Sequence, residues 1–144
     1  MVTYDHPRPS VAVDIVLLHK RSAGTMILLI QRKKDPFKGQ FALPGGFVEI
    51  EEPLEAAAAR ELKEETGLAG ITLQQIYTFG DPGRDPRGRV ISVAYGGFLP
   101  AHSPSGLNPA SDALDAAWHP IDRLPPLAFD HDLIIQKTLE VLFA

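Results

Sequence analysis

The segment EPLEAAAARELKEETG, residues 52–67, constrains the fold more than any other part of the chain. Its alanine run has high helix propensity, Pro53 suits a first turn, and Gly67 suits the left-handed stop. A helix is expected here whatever surrounds it. With Leu54 at zero on a helical wheel, Ala58 and Leu62 fall at about 40° and 80° and define a buried stripe. Glu61 falls at about 340°, Glu65 at about 20° and Glu64 at about 280° on the same wheel. Two carboxylates therefore point along the apolar side, whereas a solvated charge run would sit near Ala56 and Lys63. An unpaired carboxylate is costly to bury, and a divalent cation is a common remedy. The i, i+3 and i+4 spacing suits one or more Mg²⁺ ions, with Arg60 placed to orient a carboxylate; an edge-of-core salt-bridge cluster accounts for the wheel equally well.

The flanking sequence reads mostly as strand. VAVDIVLLHK (11–20) and MILLIQRKK (26–34) are apolar runs joined by the turn RSAGT. DPFKGQ punctuates the chain, and Pro44, Gly45 and Gly46 predict a loop whose backbone approaches something closely. ITLQQIYTFG (71–80) and GRVISVAYGGFLP (88–100) predict two longer strands around the loop DPGRDPR. HSPSGLNPASDA reads as a polar loop, DAAWHPI as a short strand and DLIIQKTLEVLF as a closing helix with an apolar stripe. Strands grouped around one central and one terminal helix predict an α/β/α sandwich with a mixed β-sheet. The 144 residues fit a single domain spanning 1–144.

Composition narrows the chemistry. The chain has no cysteine, which excludes disulfides, thiolate zinc sites and a cysteine nucleophile, and suits a cytoplasmic setting. No signal peptide or bilayer-length apolar run is present, so no membrane partner is expected. A net charge of −4 argues against general nucleic-acid binding. A phosphorylated substrate would have to be met by local arginines, backbone N–H groups or bound cations.

Gly46, Glu52, Arg60, Glu61, Leu62, Glu64, Glu65, Gly67 and Leu68 stand in the spacing G-x5-E-x7-R-E-U-x-E-E-x-G-U, with U aliphatic. This resembles the Nudix box over all its defined positions, and the strands around it follow the order of a Nudix-type sandwich. The resemblance implies Mg²⁺- or Mn²⁺-dependent hydrolysis of a nucleoside diphosphate joined to another moiety. It implies Glu61 and Glu65 as principal metal ligands and Glu64 as a further ligand or water-positioning group. Arg60 would orient them, Glu52 would be a more distant ligand or support, and the Gly45 carbonyl another ligand. The chemistry implied is metal-assisted phosphoryl transfer.

Outside the box, RKKDPFKGQFALPGGFVE, GDPGRDPRGRVISVAY and LPPLAFDH look like the ADP-ribose pyrophosphatase branch, and also like the Nudix sensor domain of bacterial regulators of NAD metabolism. Those regulators append a winged helix, for which the stretch after the last helix leaves no room, so an enzyme is expected. The leading expectation is ADP-ribose cleaved to AMP and ribose 5-phosphate. A nucleoside triphosphate or oxidised-nucleotide pyrophosphatase and a non-catalytic nucleotide sensor are the alternatives. Arg84, Arg87 and Arg89 share the loop RDPRGR and are candidates for substrate phosphates, as is Arg32 at a strand end. The same stretch resembles a P-loop only superficially, since Arg89 and Val90 replace its lysine and hydroxyl residue. Relatives carry a carboxylate base on the loop before the penultimate strand, which makes Asp112 the candidate base, with Asp115 beside it. His131 is expected to cap or support the final helix, and Phe79, Tyr95 and Phe129 to be core aromatics. Similar pyrophosphatases are often homodimers, which is carried as an expectation.

Overall fold

A computed structural model describes residues 3–103, 106–107 and 115–144. Its strands are β1 (Ser10–Arg21), β2 (Gly24–Gln31), β3 (Phe41–Ala42), β4 (Gly45–Phe47), β5 (Gln74–Phe79), β6 (Val90–Phe98) and β7 (Asp115–Pro120). Two helices, α1 (Leu54–Thr66) and α2 (His131–Leu142), complete the described elements. The sheet runs β3-β2-β1-β6-β5, with β4 added to β1 and β7 to β2. β1 and β6 are parallel and every other pairing is antiparallel, so the sheet is mixed.

The near-continuous apolar run of β1 is what a strand covered on both faces requires. Its alternating side chains divide the core in two. Val13, Ile15 and Leu17 pack with Ala57, Ala58 and Leu62 of α1. Val16 and Leu18 pack on the other side with Ile134 and Ile135 of α2. The α/β/α sandwich is the outcome, with each helix sealing one apolar face. The same alternation puts Asp14 on the α2 side, a carboxylate in a place otherwise given to hydrophobes.

α1 follows the wheel. Ala57, Ala58, Glu61, Leu62, Glu65 and Thr66 are its buried residues, while Lys63 and Glu64 are exposed. Pro53 precedes the first helical residue in extended conformation, and Gly67 ends the helix at φ 83 with its N–H on the Lys63 carbonyl. Strand ends moved relative to expectation. β2 stops at Gln31 because Arg32 leaves the sheet to bond Gln40 and Gly39 across a turn. β5 starts only at Gln74, and β6 is trimmed to Val90–Phe98. Among the described residues no helix is long and apolar enough to cross a membrane.

Candidate active site

Where β4 meets α1, four carboxylates share one guanidinium, with Glu49 the most distant at 3.9 Å. Arg60 grips Glu52 with two bonds, Nε to Oε2 at 2.6 Å and Nη2 to Oε1 at 2.8 Å. Its Nη1 donates to Glu61 Oε1 at 2.9 Å and to Glu64 Oε2 at 3.4 Å, and Nη2 also reaches the Phe47 carbonyl at 3.2 Å. Arg60 therefore gathers all four carboxylates rather than orienting one. The hydrogen bonds from Arg60 hold the Glu52 carboxyl down at about 2.

Glu65 lies outside this grip. It is 9% exposed, accepts from Gly45 N–H at 3.2 Å through Oε2, and shares a hydrogen bond with the Glu61 carboxyl. Burial, then the Glu61 charge, push its acid group up to about 9, against the opposing Gly45 N–H. Burial also raises Glu61, although Arg60 pulls it back. The pair sits where the backbone comes closest: a Cβ on Gly46 would lie 2.5 Å from Glu61 Oε1, and one on Gly45 2.2 Å from the Val13 carbonyl oxygen. At Gly45 the clash is with backbone and only glycine fits, whereas a Cβ at Gly46 would displace the Glu61 carboxylate. As the side chains stand, no three His, Asp or Glu side chains among the described residues converge as an ion-holding cluster.

Glu65 forms part of the wall of a cavity of about 300 Å³. Arg32, Arg84 and Arg87 all line it, so the structure brings three of the four candidate arginines together. Arg84 is 5% exposed and makes a two-bond fork to Asp130, Nε to Oδ2 at 2.9 Å and Nη2 to Oδ1 at 2.7 Å. Arg87 does the same with buried Asp85, at 3.0 Å and 2.7 Å. Its guanidinium stands 5.0 Å from the Phe47 ring centre and 5.1 Å from that of Phe129. Arg32 donates only to the Pro36 carbonyl, at 2.8 Å, and is the cavity arginine without a carboxylate partner among the described residues. Burial and then the Arg87 charge push its pKa down. Arg89 is exposed and not part of the lining; its carbonyl holds Ser10 N–H instead.

Other expectations are redistributed. Tyr95, Phe79 and Phe129 all pack on the hydrophobic cores as expected, and Phe129 also lines the cavity, at φ 54, a left-handed backbone unusual for a bulky residue. Asp115 is exposed and paired with Lys33 at 2.7 Å. Asp112 lies outside the described residues. His131 does not cap α2, whose N-cap Asp130 makes no side-chain cap bond; it is buried in the cavity wall and accepts Leu43 N–H at Nδ1, 3.0 Å. Asp14, Asp85 and Phe47 complete the site without having been singled out from sequence. For Asp14 a signal existed, the lone charge inside VAVDIVLL.

Comparison with known proteins places this geometry. A family model described as the NUDIX domain matches residues 8–139. The ADP-ribose pyrophosphatase of Methanocaldococcus jannaschii is 45% identical over 133 residues, covering 89% of this chain and 72% of that protein. The ADPR responsive transcriptional repressor NtrR of Acinetobacter baylyi is 34% identical over 137 residues, covering 92% of this chain and 54% of the repressor. The NUDIX domain of Shewanella oneidensis NrtR, solved with ADP ribose, superposes with a TM-score of 0.87 at 32% identity, covering 96% of this chain and 94% of that one.

Proposed function

The chain belongs to the NUDIX domain family, and from that premise we propose that it hydrolyses the diphosphate bond of ADP-ribose, releasing AMP and ribose 5-phosphate. One observation carries the reading: the buried Glu65 carboxyl and the guanidinium groups of Arg32, Arg84 and Arg87 line the same cavity. A diphosphate is the ligand chemistry that needs both kinds of group. Its oxygens accept from guanidinium groups, and its remaining charge calls for cations near the carboxylates.

The donor set fits Mg²⁺ or Mn²⁺. Glu61 and Glu65 are hard oxygen donors, buried side by side with one hydrogen bond between them, and a divalent cation relieves the repulsion that a proton now relieves. Glu61, Glu65 and the Gly45 carbonyl would hold the ion, with Glu64 and Glu52 as outer support. Bound there, the ion supplies charge neutralisation and a more acidic water. The chain's own groups do the rest. Arg60 fixes the carboxylates, Arg32, Arg84 and Arg87 orient the phosphates, and the Phe47 and Phe129 rings border the guanidinium of Arg87. Asp112 is proposed as the base that takes the water's proton, and a kcat left unchanged in Asp112→Asn would remove it.

The similarity to the pyrophosphatase and to the ADP-ribose complex supports ADP-ribose as substrate. The test is a panel of ADP-ribose, diadenosine polyphosphates, sugar nucleotides and dNTPs with Mg²⁺, read by product analysis. AMP from ADP-ribose with little action on dNTPs is expected. Preference for dNTPs would move the chain to a triphosphate pyrophosphatase, and tight ADP-ribose binding without products would make it a sensor. The reading carries a cytoplasmic homodimer as its setting, which light scattering of the purified chain checks for assembly.

A further inference from the structure

Both ring nitrogens of His131 are engaged inside the protein. Nδ1 accepts the Leu43 N–H at 3.0 Å, so the mobile proton sits on Nε2, which faces Asp14 Oδ1 at 3.4 Å. Asp14 is in turn held by the Ser92 hydroxyl through its other oxygen. His131 and Asp14 are 4% and 8% exposed, and Ser92 is fully buried. Although the imidazole lines the cavity, no nitrogen is left over for substrate.

The pair instead touches the loop that carries the site. Leu43 is fixed through its N–H by His131. Pro44 is fixed through its carbonyl by Ile15 N–H at 2.8 Å. Gly45 lies directly against Asp14, whose Oδ1 would be 2.5 Å from any Cβ placed there. Gly45 then presents its own N–H to Glu65. The start of α2 and the central strand β1, whose Asp14 is held from β6, thus converge on the three residues leading into β4.

We propose that His131, set in its Nε2–H form by Asp14, is a positioning residue that holds the Leu43–Gly45 backbone in register with Glu65. This deepens the proposed function and rests on its placing of the Gly45 backbone in the reacting site. Gly45 and Gly46 have no side chain with which to anchor themselves, so their precision comes from backbone partners: β1, paired with β4, and His131 at Leu43.

Three measurements decide it. Nitrogen-15 NMR of the labelled chain should show His131 as the Nε2–H tautomer, and finding the Nδ1–H tautomer would overturn the proposal. Steady-state kinetics with ADP-ribose should show kcat of His131→Leu reduced about 10- to 100-fold with KM nearly unchanged. His131→Asn, whose side-chain oxygen can still accept Leu43 N–H, should recover most of that loss. Equal loss in Asn and Leu, or loss confined to KM, would overturn it. Should His131→Leu not fold, His131→Gln takes its place, because its amide reaches toward Asp14 and not Leu43. Hydrogen exchange at Leu43 should quicken in Leu or Gln and not in Asn; unchanged exchange contradicts the proposal. If the wild-type chain cleaves no diphosphate, the proposed function fails, while the tautomer and the exchange still judge the His131 pair.

Discussion

The glutamates gathered at α1, of which Glu65 lines the cavity, and the arginines of the cavity lining manage charge in opposite ways. On the α1 side one arginine, Arg60, serves Glu52, Glu61 and Glu64, and Glu65 has no cation of its own. Among the arginines of the lining, Arg84 and Arg87 each carry a private aspartate, whereas Arg32 has no carboxylate partner among the described residues. Glu65 is therefore short of positive charge, which under the proposed function a bound cation supplies. The Arg84 and Arg87 forks are complete as they stand and, under the same proposal, are fixed before substrate arrives.

The sharpest way to break this contrast is Glu65→Gln. Turnover should fall roughly 10³-fold, and near-wild-type activity would remove Glu65 from the site. The same variant should be more stable than wild type without metal. The folded pKa of Glu65, about 9, is raised above the ordinary 4.5, so its contribution to stability is fully present below about 4.5 and is lost as pH climbs through about 9. Melting temperature of the metal-free wild type should fall across that window, Mg²⁺ should restore it, and Glu65→Gln should flatten the fall. A pH-independent melting temperature would mean the deficit does not exist.

Next in size is Arg60→Lys. A lysine cannot fork to Glu52 while reaching Glu61, so kcat should drop about 10- to 100-fold, read alongside an unchanged circular dichroism spectrum. Among the arginines of the lining, Arg32→Ala should raise KM for ADP-ribose about tenfold, the scale of one charged hydrogen bond, with Arg87→Ala raising it less. An effect of Arg87 exceeding that of Arg32 would reverse the distinction between paired and unpaired cations. Arg89→Ala, outside the cavity, should change neither KM nor kcat beyond about twofold.

Legibility in the sequence follows the same division. The burial of Glu61 and Glu65 was readable because helical periodicity is local, and Gly46 and Glu52 lie within the same short cassette. The sandwich was readable from the order of elements, strands grouped around one central and one terminal helix. Pairings between distant residues were not. Arg84 meets Asp130 across 46 positions, Ser92 meets Asp14 across 78 and Leu43 meets His131 across 88, and no local pattern encodes any of these. Nothing in AFDH announces the left-handed backbone of Phe129; its neighbours are fixed elsewhere, Ala128 on Phe41 and Asp130 on Arg84. Arg32 differs from its neighbours only in lacking an acid, which is a property of three dimensions.

The Arg60 hub has a consequence for how such a chain can change over generations. Every partner of Arg60 lies between Phe47 and Glu64, so this half of the site travels as one contiguous piece and survives replacement of the loops around it. The arginines of the lining are drawn from separate stretches of the chain, and each can be exchanged alone.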